Sequence, residues 1–176
     1  MASRFHYFAY GSNMLTQRLA ARCPGIVPVG AAALQGYTLN FSKVGRDLSG
    51  KATPVAQAGA ALHGVLFHID AADLAVLDRI EGVGAGYERV NVALHQDGAA
   101  ETIEAVTYVA THTDERLRPF LWYRALVLAG AMQHALPEAH QALIRGFDCD
   151  DDLHEARKGR VEALGVLDAA GFGHLV

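Results

Sequence analysis

The stretch from Tyr7 to Met14 places the strongest constraint on how this chain can fold. It consists of an apolar, aromatic segment that is typical of a buried strand, followed by Gly11-Ser12-Asn13. Apolar residues at helical spacing continue through 15–22, so the sequence predicts a strand that turns sharply into a helix. One explanation is purely structural: Gly11 supplies an unusual backbone angle, and Ser12 or Asn13 caps the helix. Taken alone, the stretch favours this structural explanation.

A functional explanation of the same turn rests on its backbone. A strand that opens a helix in this way exposes N–H groups near the positive end of the helix, which suits a carboxylate, a phosphate or a developing oxyanion. Tyr10 and Ser12 add hydroxyl groups, and Asn13 adds an amide donor and an acceptor.

The remaining chain predicts an α+β fold. Strands are predicted at 26–34, 37–42, 61–69, 87–95 and 102–110, a long loop at 45–59, and helices at 70–81, 119–135, 137–147 and 153–170. Gln96-Asp97-Gly98 predicts a hairpin turn. Because the early strands are short and interrupted by glycine, the sheet is predicted to curl into a small barrel.

Length and charge limit the classes of protein to consider. The chain of 176 residues suits a single domain spanning 1–176, and its net charge of −4 gives no reason to expect nucleic acid or a membrane as a partner. Two distant cysteines do not form a disulfide framework. Neither a leader nor a long apolar run is present, so a cytoplasmic location is predicted.

Familiar cofactor and nucleophile motifs do not fit. The glycines at 82, 84 and 86 follow a predicted helix and open a strand, whereas dinucleotide binding needs the reverse order. Ser12 is not in a Gly-x-Ser-x-Gly elbow, and the nine histidines show no metal-ligand spacing. The sequence therefore predicts no cofactor and no metal.

Glu81 is a carboxylate in an unusual place, at the end of a predicted helix and before a glycine-rich turn. A negative charge is mildly disfavoured at a helix C-terminus. The residue is either an exposed glutamate tolerated at small cost or a carboxylate placed to take and return protons. The local sequence favours neither interpretation over the other.

Three blocks of the sequence resemble the γ-glutamylcyclotransferase family. They are Tyr7-Phe8-Ala9-Tyr10-Gly11-Ser12-Asn13-Met14, Leu77-Asp78-x-x-Glu81-Gly82-Val83-x-x-Gly86-Tyr87 and Tyr123-Arg124-x-Leu126-Val127-x-x-Gly130-Ala131. The blocks lie in the family's order, and the similarity covers about residues 5 to 145. Residues beyond that match nothing assignable, and a helical extension is predicted from about residue 148.

The resemblance implies a fold, an activity and a site. The fold would be a small mixed β-barrel flanked by helices, the γ-glutamyl cyclotransferase-like fold. The activity would be a transferase or lyase reaction of glutathione metabolism that forms 5-oxoproline. Glu81 would be the catalytic acid and base. The implied substrate-binding residues are Tyr7, Phe8, Ala9, Tyr10, Gly11, Ser12, Asn13 and Tyr123.

The resemblance does not determine the leaving group of the substrate or the oligomeric state of the protein. Glutathione-specific relatives carry Tyr-Gly-Ser-Leu at the loop, and γ-glutamylamine-specific relatives usually carry Tyr-Gly-Thr-Leu. Asn13 stands where both have leucine, so this chain leans away from both branches. A homodimer is an open option.

The implied reaction fits the residues. In a γ-glutamyl amide the substrate's own α-amine can attack its γ-carbonyl, close a lactam and expel an amine, so no protein nucleophile is required. Glu81 would accept and return the protons, and the N–H groups at Gly11-Ser12-Asn13 would hold the oxyanion. Two alternatives stay open: a domain that binds a small acidic metabolite without turnover, and an enzyme that removes a γ-glutamyl group from a larger biosynthetic intermediate.

Overall fold

The computed structural model describes residues 4–96 and 101–176. The strands are β1 (Arg4–Ala9), β2 (Val27–Val44), β3 (Gly50–Asp70), β4 (Tyr87–Leu94) and β5 (Ile103–Ala110). The α-helices are α1 (Thr16–Ala20), α2 (Leu74–Glu81), α3 (Leu121–Gln133), α4 (Glu138–Arg145) and α5 (Lys158–Ala169). Short 3₁₀ turns occur at Ser12–Met14, Ala71–Asp73 and Gly173–Leu175. The predicted α+β class is confirmed.

The five strands form one mixed sheet in the order β2-β3-β1-β5-β4. Strand β1 pairs antiparallel with β3 and parallel with β5, while β2–β3 and β4–β5 are antiparallel pairs. Within the described ranges, edge strand β2 meets the β4 side through one bridge, between Ala33 and His95. A closed barrel needs a continuous, staggered ladder between its edge strands. The predicted closed barrel is therefore wrong in that detail, although the helix-flanked sheet is present.

The segment predicted as a long loop at 45–59 is mostly a strand. Strands β2 and β3 form a long hairpin whose pairing extends from Val27 opposite His68 to Val44 opposite Gly50. Shifts of register near Pro28, Gly36 and Ser42 absorb the breaks that suggested separate strands. The prediction failed because glycine, serine and proline are local turn signals, whereas the distant partner β2 satisfies this backbone.

Helix α3 is the buried centre of the helical layer. Nine of its residues are buried, and its Gly130 lies against the turn that follows β1. A Cβ atom at Gly130 would come within 2.5 Å of the Met14 Cβ atom, so only glycine permits this approach. The C-terminal half of α3 is thereby held against the turn after β1, while Tyr123 in its first turn reaches the loop, where a Cβ atom at Gly11 would lie 3.7 Å from the Tyr123 hydroxyl.

The C-terminal extension is helical from Lys158 rather than from about residue 148. Before it, the buried carboxylate of Asp152 accepts hydrogen bonds from Trp122 Nε1 at 3.1 Å and from Arg157 Nε at 2.7 Å. Helix α5 buries Ala163 and Leu167. The turn predicted at 96–98 lies partly outside the described residues, although β4 and β5 pair as it requires. Across 4–96 and 101–176, no helix has the length and apolar character needed to cross a membrane.

Candidate active site

The end of β1 opens into a small pocket lined mainly by tyrosines, which we call the inner pocket. Strands β1, β4 and β5 and helix α3 supply the tyrosines, the 3₁₀ turn supplies Asn13, and Glu81 is the last residue of α2. The lining residues are Tyr7, Tyr10, Gly11, Ser12, Asn13, Ala52, Glu81, Tyr87, Tyr108 and Tyr123. The structure thus brings the predicted acid/base residue and the predicted loop together.

The side chain of Asn13 connects three residues at the inner pocket by hydrogen bonds. Its amide nitrogen donates to Glu81 Oε1 at 2.8 Å and to the Tyr7 hydroxyl at 3.0 Å. Its amide oxygen accepts from Arg22 NH1 at 2.7 Å. Both donor hydrogens and the acceptor of the amide are therefore used, which fixes the orientation of the side chain.

Glu81 sits at the mouth of the pocket with 16% of its side chain exposed. Arg22 NH1 lies 3.7 Å from Oε1, the same oxygen that Asn13 contacts. Helix α2 stops directly after Glu81 because Gly82 adopts a left-handed backbone conformation with φ of 70°. Among the described residues, Oε2 of Glu81 has no hydrogen-bond partner, so one carboxylate oxygen is held and the other is free.

The tyrosines keep the inner pocket neutral. Burial raises the pKa of Tyr7, Tyr10, Tyr87, Tyr108 and Tyr123 above the ordinary value, and the Glu81 charge raises the pKa further. All five therefore stay protonated at neutral pH. Three hydroxyls donate to protein oxygens: Tyr10 to the Tyr108 carbonyl, Tyr87 to the Ala52 carbonyl at 2.8 Å, and Tyr108 to Asp78 Oδ1 at 2.7 Å.

The turn at Ser12 and Asn13 presents backbone donors without using its side chains as caps. No side-chain capping bond is found at the 3₁₀ turn or at α1, so the structural explanation by capping is wrong. The Ser12 hydroxyl instead accepts from Arg18 Nε at 3.1 Å. Within the described chain, the backbone N–H groups of Ser12 and Asn13 have no acceptor. They are therefore free to bind an anionic group.

Two predicted site residues do not line the pocket. Phe8 is fully buried in the core, where its ring lies against Gly64, and Ala9 is buried as well. Sequence reasoning also missed Arg22, Tyr87, Tyr108 and Ala52 as pocket or pocket-side residues. Arg18 and Arg22 lie four residues apart, which places them on one face of the predicted helix and could have indicated a basic face.

A second, wider cavity of about 740 Å³ adjoins the inner pocket and shares Ser12, Glu81, Tyr87 and Tyr123 with it. We call it the outer cleft. Its cationic lining residues are Arg18, Arg22, Lys43, Arg46, Lys51, Arg157 and Lys158. Its acidic lining residues are Asp47, Glu81 and Glu162. The β2–β3 hairpin and the C-terminal segment supply half of the residues that line this cleft, and the segment 80–87 supplies most of the others.

Neither cavity contains a clear metal or thiol centre. In the part of the chain that the structure describes, no three His, Cys, Asp or Glu side chains are grouped to hold a metal ion. Burial raises the pKa of the Cys23 thiol to about 11 and raises the pKa of Cys149 as well, so both are protonated at neutral pH. The inner pocket offers a carboxylate, phenols and backbone groups.

Comparisons with known proteins agree with this arrangement. A family model described as gamma-glutamyl cyclotransferase, AIG2-like, matches residues 7–124. The gamma-glutamylcyclotransferases of Bos taurus and Homo sapiens are each 31% identical to the chain over 153 residues, covering 84% of this chain and 80% of the relative. A solved structure of a gamma-glutamyl cyclotransferase superposes with a TM-score of 0.84 at 25% identity, covering 93% of this chain and 99% of its own.

Proposed function

Because the chain belongs to the γ-glutamyl cyclotransferase, AIG2-like family, we infer that it is a γ-glutamylcyclotransferase. Such an enzyme converts a γ-glutamyl amide into 5-oxoproline and a free amine. The roles of individual residues given below are our proposal.

The observation that carries the proposal is the asymmetric binding of Glu81. Asn13 and Arg22 contact Oε1, while Oε2 has no hydrogen-bond partner in the described chain, and Glu81 lines a pocket of neutral phenols. A general base needs one atom within hydrogen-bond reach of the proton that it takes, and a fixed orientation. Glu81 meets both needs, whereas the glutamate of a pure carboxylate-binding site would repel its ligand.

The substrate supplies its own nucleophile. We place its α-ammonium group at Glu81 Oε2, which accepts a proton and leaves a neutral amine. The amine nitrogen then forms a bond to the γ-carbonyl carbon, and the γ-amide C–N bond breaks while the departing nitrogen takes a proton from Glu81. The ring nitrogen loses its second proton as the released amine gains one, so no net proton is consumed. Holding the two reacting groups together converts this step into a ring closure with high effective molarity.

The turn after β1 stabilises the charge that develops on the γ-carbonyl oxygen. The unpaired N–H groups of Ser12 and Asn13 belong to residues that line the pocket, and fixed donors act strongly where the substrate excludes water. Removing one such donor in other enzymes typically lowers kcat by roughly 10²–10³-fold. The phenols of Tyr7 and Tyr123 stay protonated and confine the substrate without adding charge.

We propose a small γ-glutamyl amide as the substrate and the cytoplasm as the location. The inner pocket suits a small molecule, since its lining comes from one turn and a few side chains. The comparisons do not support the homodimer, which stays a prediction that light scattering on the purified protein can check.

A panel of γ-glutamyl amino acids, γ-glutamyl amines and glutathione, assayed for 5-oxoproline, tests the proposal. We expect at least one member to release 5-oxoproline and an equal amount of amine. The Glu81→Gln variant serves as the matched control, because it keeps the shape of the side chain and cannot accept the proton. Release of glutamate instead of 5-oxoproline would contradict the ring closure.

A further inference from the structure

The outer cleft is basic although the whole chain is acidic. The chain has a net charge of −4, yet seven cationic and only three acidic side chains line this cavity. A cavity lined by one sign of charge concentrates ligands of the opposite sign. The surplus of positive charge raises the question of which anion binds in the outer cleft.

Three of these cations have no carboxylate partner within 4.0 Å in the described chain: Arg18, Lys43 and Arg46. The other four are paired. Lys51 contacts Asp47 at 2.8 Å and Arg157 contacts Asp152 at 2.7 Å. Arg22 and Lys158 each lie 3.7 Å from a glutamate oxygen. The surplus is thus localised to three named side chains.

The burial of two of these unpaired cations is energetically costly. Lys43 is only 8% exposed, and its ammonium group lies 4.9 Å from the centre of the Tyr87 ring. The Arg18 guanidinium is partly buried and donates to the uncharged Ser12 hydroxyl. Burial lowers the pKa of both groups, as expected for cations removed from water. Buried charges are normally paired, so an anion supplied by a ligand would complete this site.

The position of the three unpaired cations indicates which part of the substrate carries the anionic group that pairs with them. In the proposed function the glutamyl part binds in the inner pocket, where its α-ammonium and α-carboxylate charges cancel. The γ-amide bond would then lie near Glu81 and Tyr87, which belong to both cavities, so the departing amine would extend into the outer cleft. One carboxylate on that amine would pair with one of the three cations and leave two unpaired.

Building on the proposed function, we propose that the outer cleft selects γ-glutamyl amides whose departing amine carries at least two negative charges. The second anionic group is a carboxylate or a phosphate, and it pairs with Lys43 and Arg46 while Arg18 faces the first. These three side chains are then determinants of specificity for the reaction.

Matched substrates that differ by one charge test this proposal. We compare kcat/KM for γ-glutamyl-glutamate and γ-glutamyl-glutamine, which have nearly the same shape, and for γ-glutamyl-phosphoserine and γ-glutamyl-serine. The more anionic member of at least one pair is expected to be favoured by about tenfold or more, as for a hydrogen bond to a charged group in a partly buried site. The two pairs distinguish a carboxylate from a phosphate as the second anion.

Variants assign the preference to the cleft. Lys43→Gln should lower the preference ratio by about tenfold, and Arg46→Gln by about threefold because Arg46 is exposed. Arg145→Gln is the control, since it removes the same charge from a side chain that lines neither cavity. Its ratio should equal that of the unmodified enzyme. Arg46→Gln keeps the test available if the buried Lys43 variant fails to fold.

The outcomes separate this inference from the proposed function. If 5-oxoproline is formed equally well from both members of both pairs, the inference is wrong and the function stands. The inference also fails if Arg46→Gln and Lys43→Gln leave the ratio of the enzyme unchanged. If none of the substrates yields 5-oxoproline, the proposed function is wrong and the inference falls with it.

Discussion

The inner pocket and the outer cleft share a boundary but differ in chemistry. Five neutral phenols and one carboxylate line the inner pocket, whereas seven cations line the outer cleft. The inner pocket comes from segments within residues 7–124, which the family model matches. Part of the outer cleft comes from 157–162, beyond that match. If both proposals hold, bond making and the selection of the leaving group depend on different parts of one chain.

The contrast also has a physical reason. In the proposed mechanism a carboxylate exchanges protons with the substrate, which requires an atom within hydrogen-bond reach of the proton. Recognition of an anion instead requires fixed cations. Among the described residues, Arg22 is the cation within 4.0 Å of a Glu81 oxygen, at 3.7 Å, and its closest contact is to Asn13 at 2.7 Å. The Asn13 side chain therefore bridges Arg22 and the Glu81 carboxylate through its hydrogen bonds.

The largest expected effect comes from Glu81→Gln in the inner pocket. Glutamine keeps the hydrogen bond to Asn13 but cannot accept the proton of the α-ammonium, so kcat should fall by about 10²–10⁴-fold while substrate still binds. Calorimetric binding and 5-oxoproline release measure the two effects separately. Glu88→Gln, on the exposed side of β4, is the control and should retain activity. A Glu81→Gln variant with more than about a tenth of the normal rate would remove Glu81 from the mechanism.

Asn13→Ala should have the next largest effect, because it breaks the hydrogen bonds that orient Glu81, Tyr7 and Arg22. Hydrogen bonds to charged groups contribute roughly 1.5–3 kcal/mol, so kcat should fall by about 10- to 150-fold. The preference between γ-glutamyl-glutamate and γ-glutamyl-glutamine should change little, since the outer cleft keeps its cations. Equal losses of rate and of preference would mean that the two regions are not separable.

Alkaline pH should weaken the outer cleft before the inner pocket. Burial lowers the pKa of Lys43 below 10.5, so its positive charge is lost at lower pH than in an ordinary lysine. Burial raises the pKa of the five tyrosines above 10.0, so they keep their protons over the same range. The preference for γ-glutamyl-glutamate over γ-glutamyl-glutamine should therefore fall severalfold between roughly pH 7 and 10.

The ratio of kcat/KM for the two substrates measures this effect, because titration of their common α-ammonium group cancels. Lys43→Met is the control and should show a flatter ratio across the same pH range. A ratio that stays constant in the unmodified enzyme would contradict the assignment of Lys43.

The smallest expected effect comes from removing both thiols. Cys23 is fully buried in the core and Cys149 donates weakly to the Phe147 carbonyl, and neither lines a cavity. A Cys23→Ala, Cys149→Ala double variant should keep kcat within about twofold and lose about 1 kcal/mol of stability from the core. Chelator treatment should likewise leave the rate unchanged. Activity that disappears with chelator and returns with added metal would contradict the mechanism.

The sequence alone was enough to predict the class of fold, and it singled out Asn13 and Glu81, which the structure places in hydrogen-bond contact. The turn at Gly11-Ser12-Asn13 and the helix end at Glu81 are each marked by local signals, and the resemblance of three blocks connected them. The helix end was predictable because Gly82 can adopt the left-handed conformation that ends α2. The site roles assigned to these residues stay predictions for the experiments above.

The tertiary structure determined several features that local sequence signals do not report. The segment 50–59 became a strand because its partner β2 lies on the far side of a hairpin, and local turn residues do not report such a partner. Phe8 does not line the inner pocket, because successive residues of a strand point to opposite faces and its ring is buried in the core. The basic outer cleft joins Arg18, Lys43 and Arg157, which are far apart in sequence, so their common charge appears only after folding.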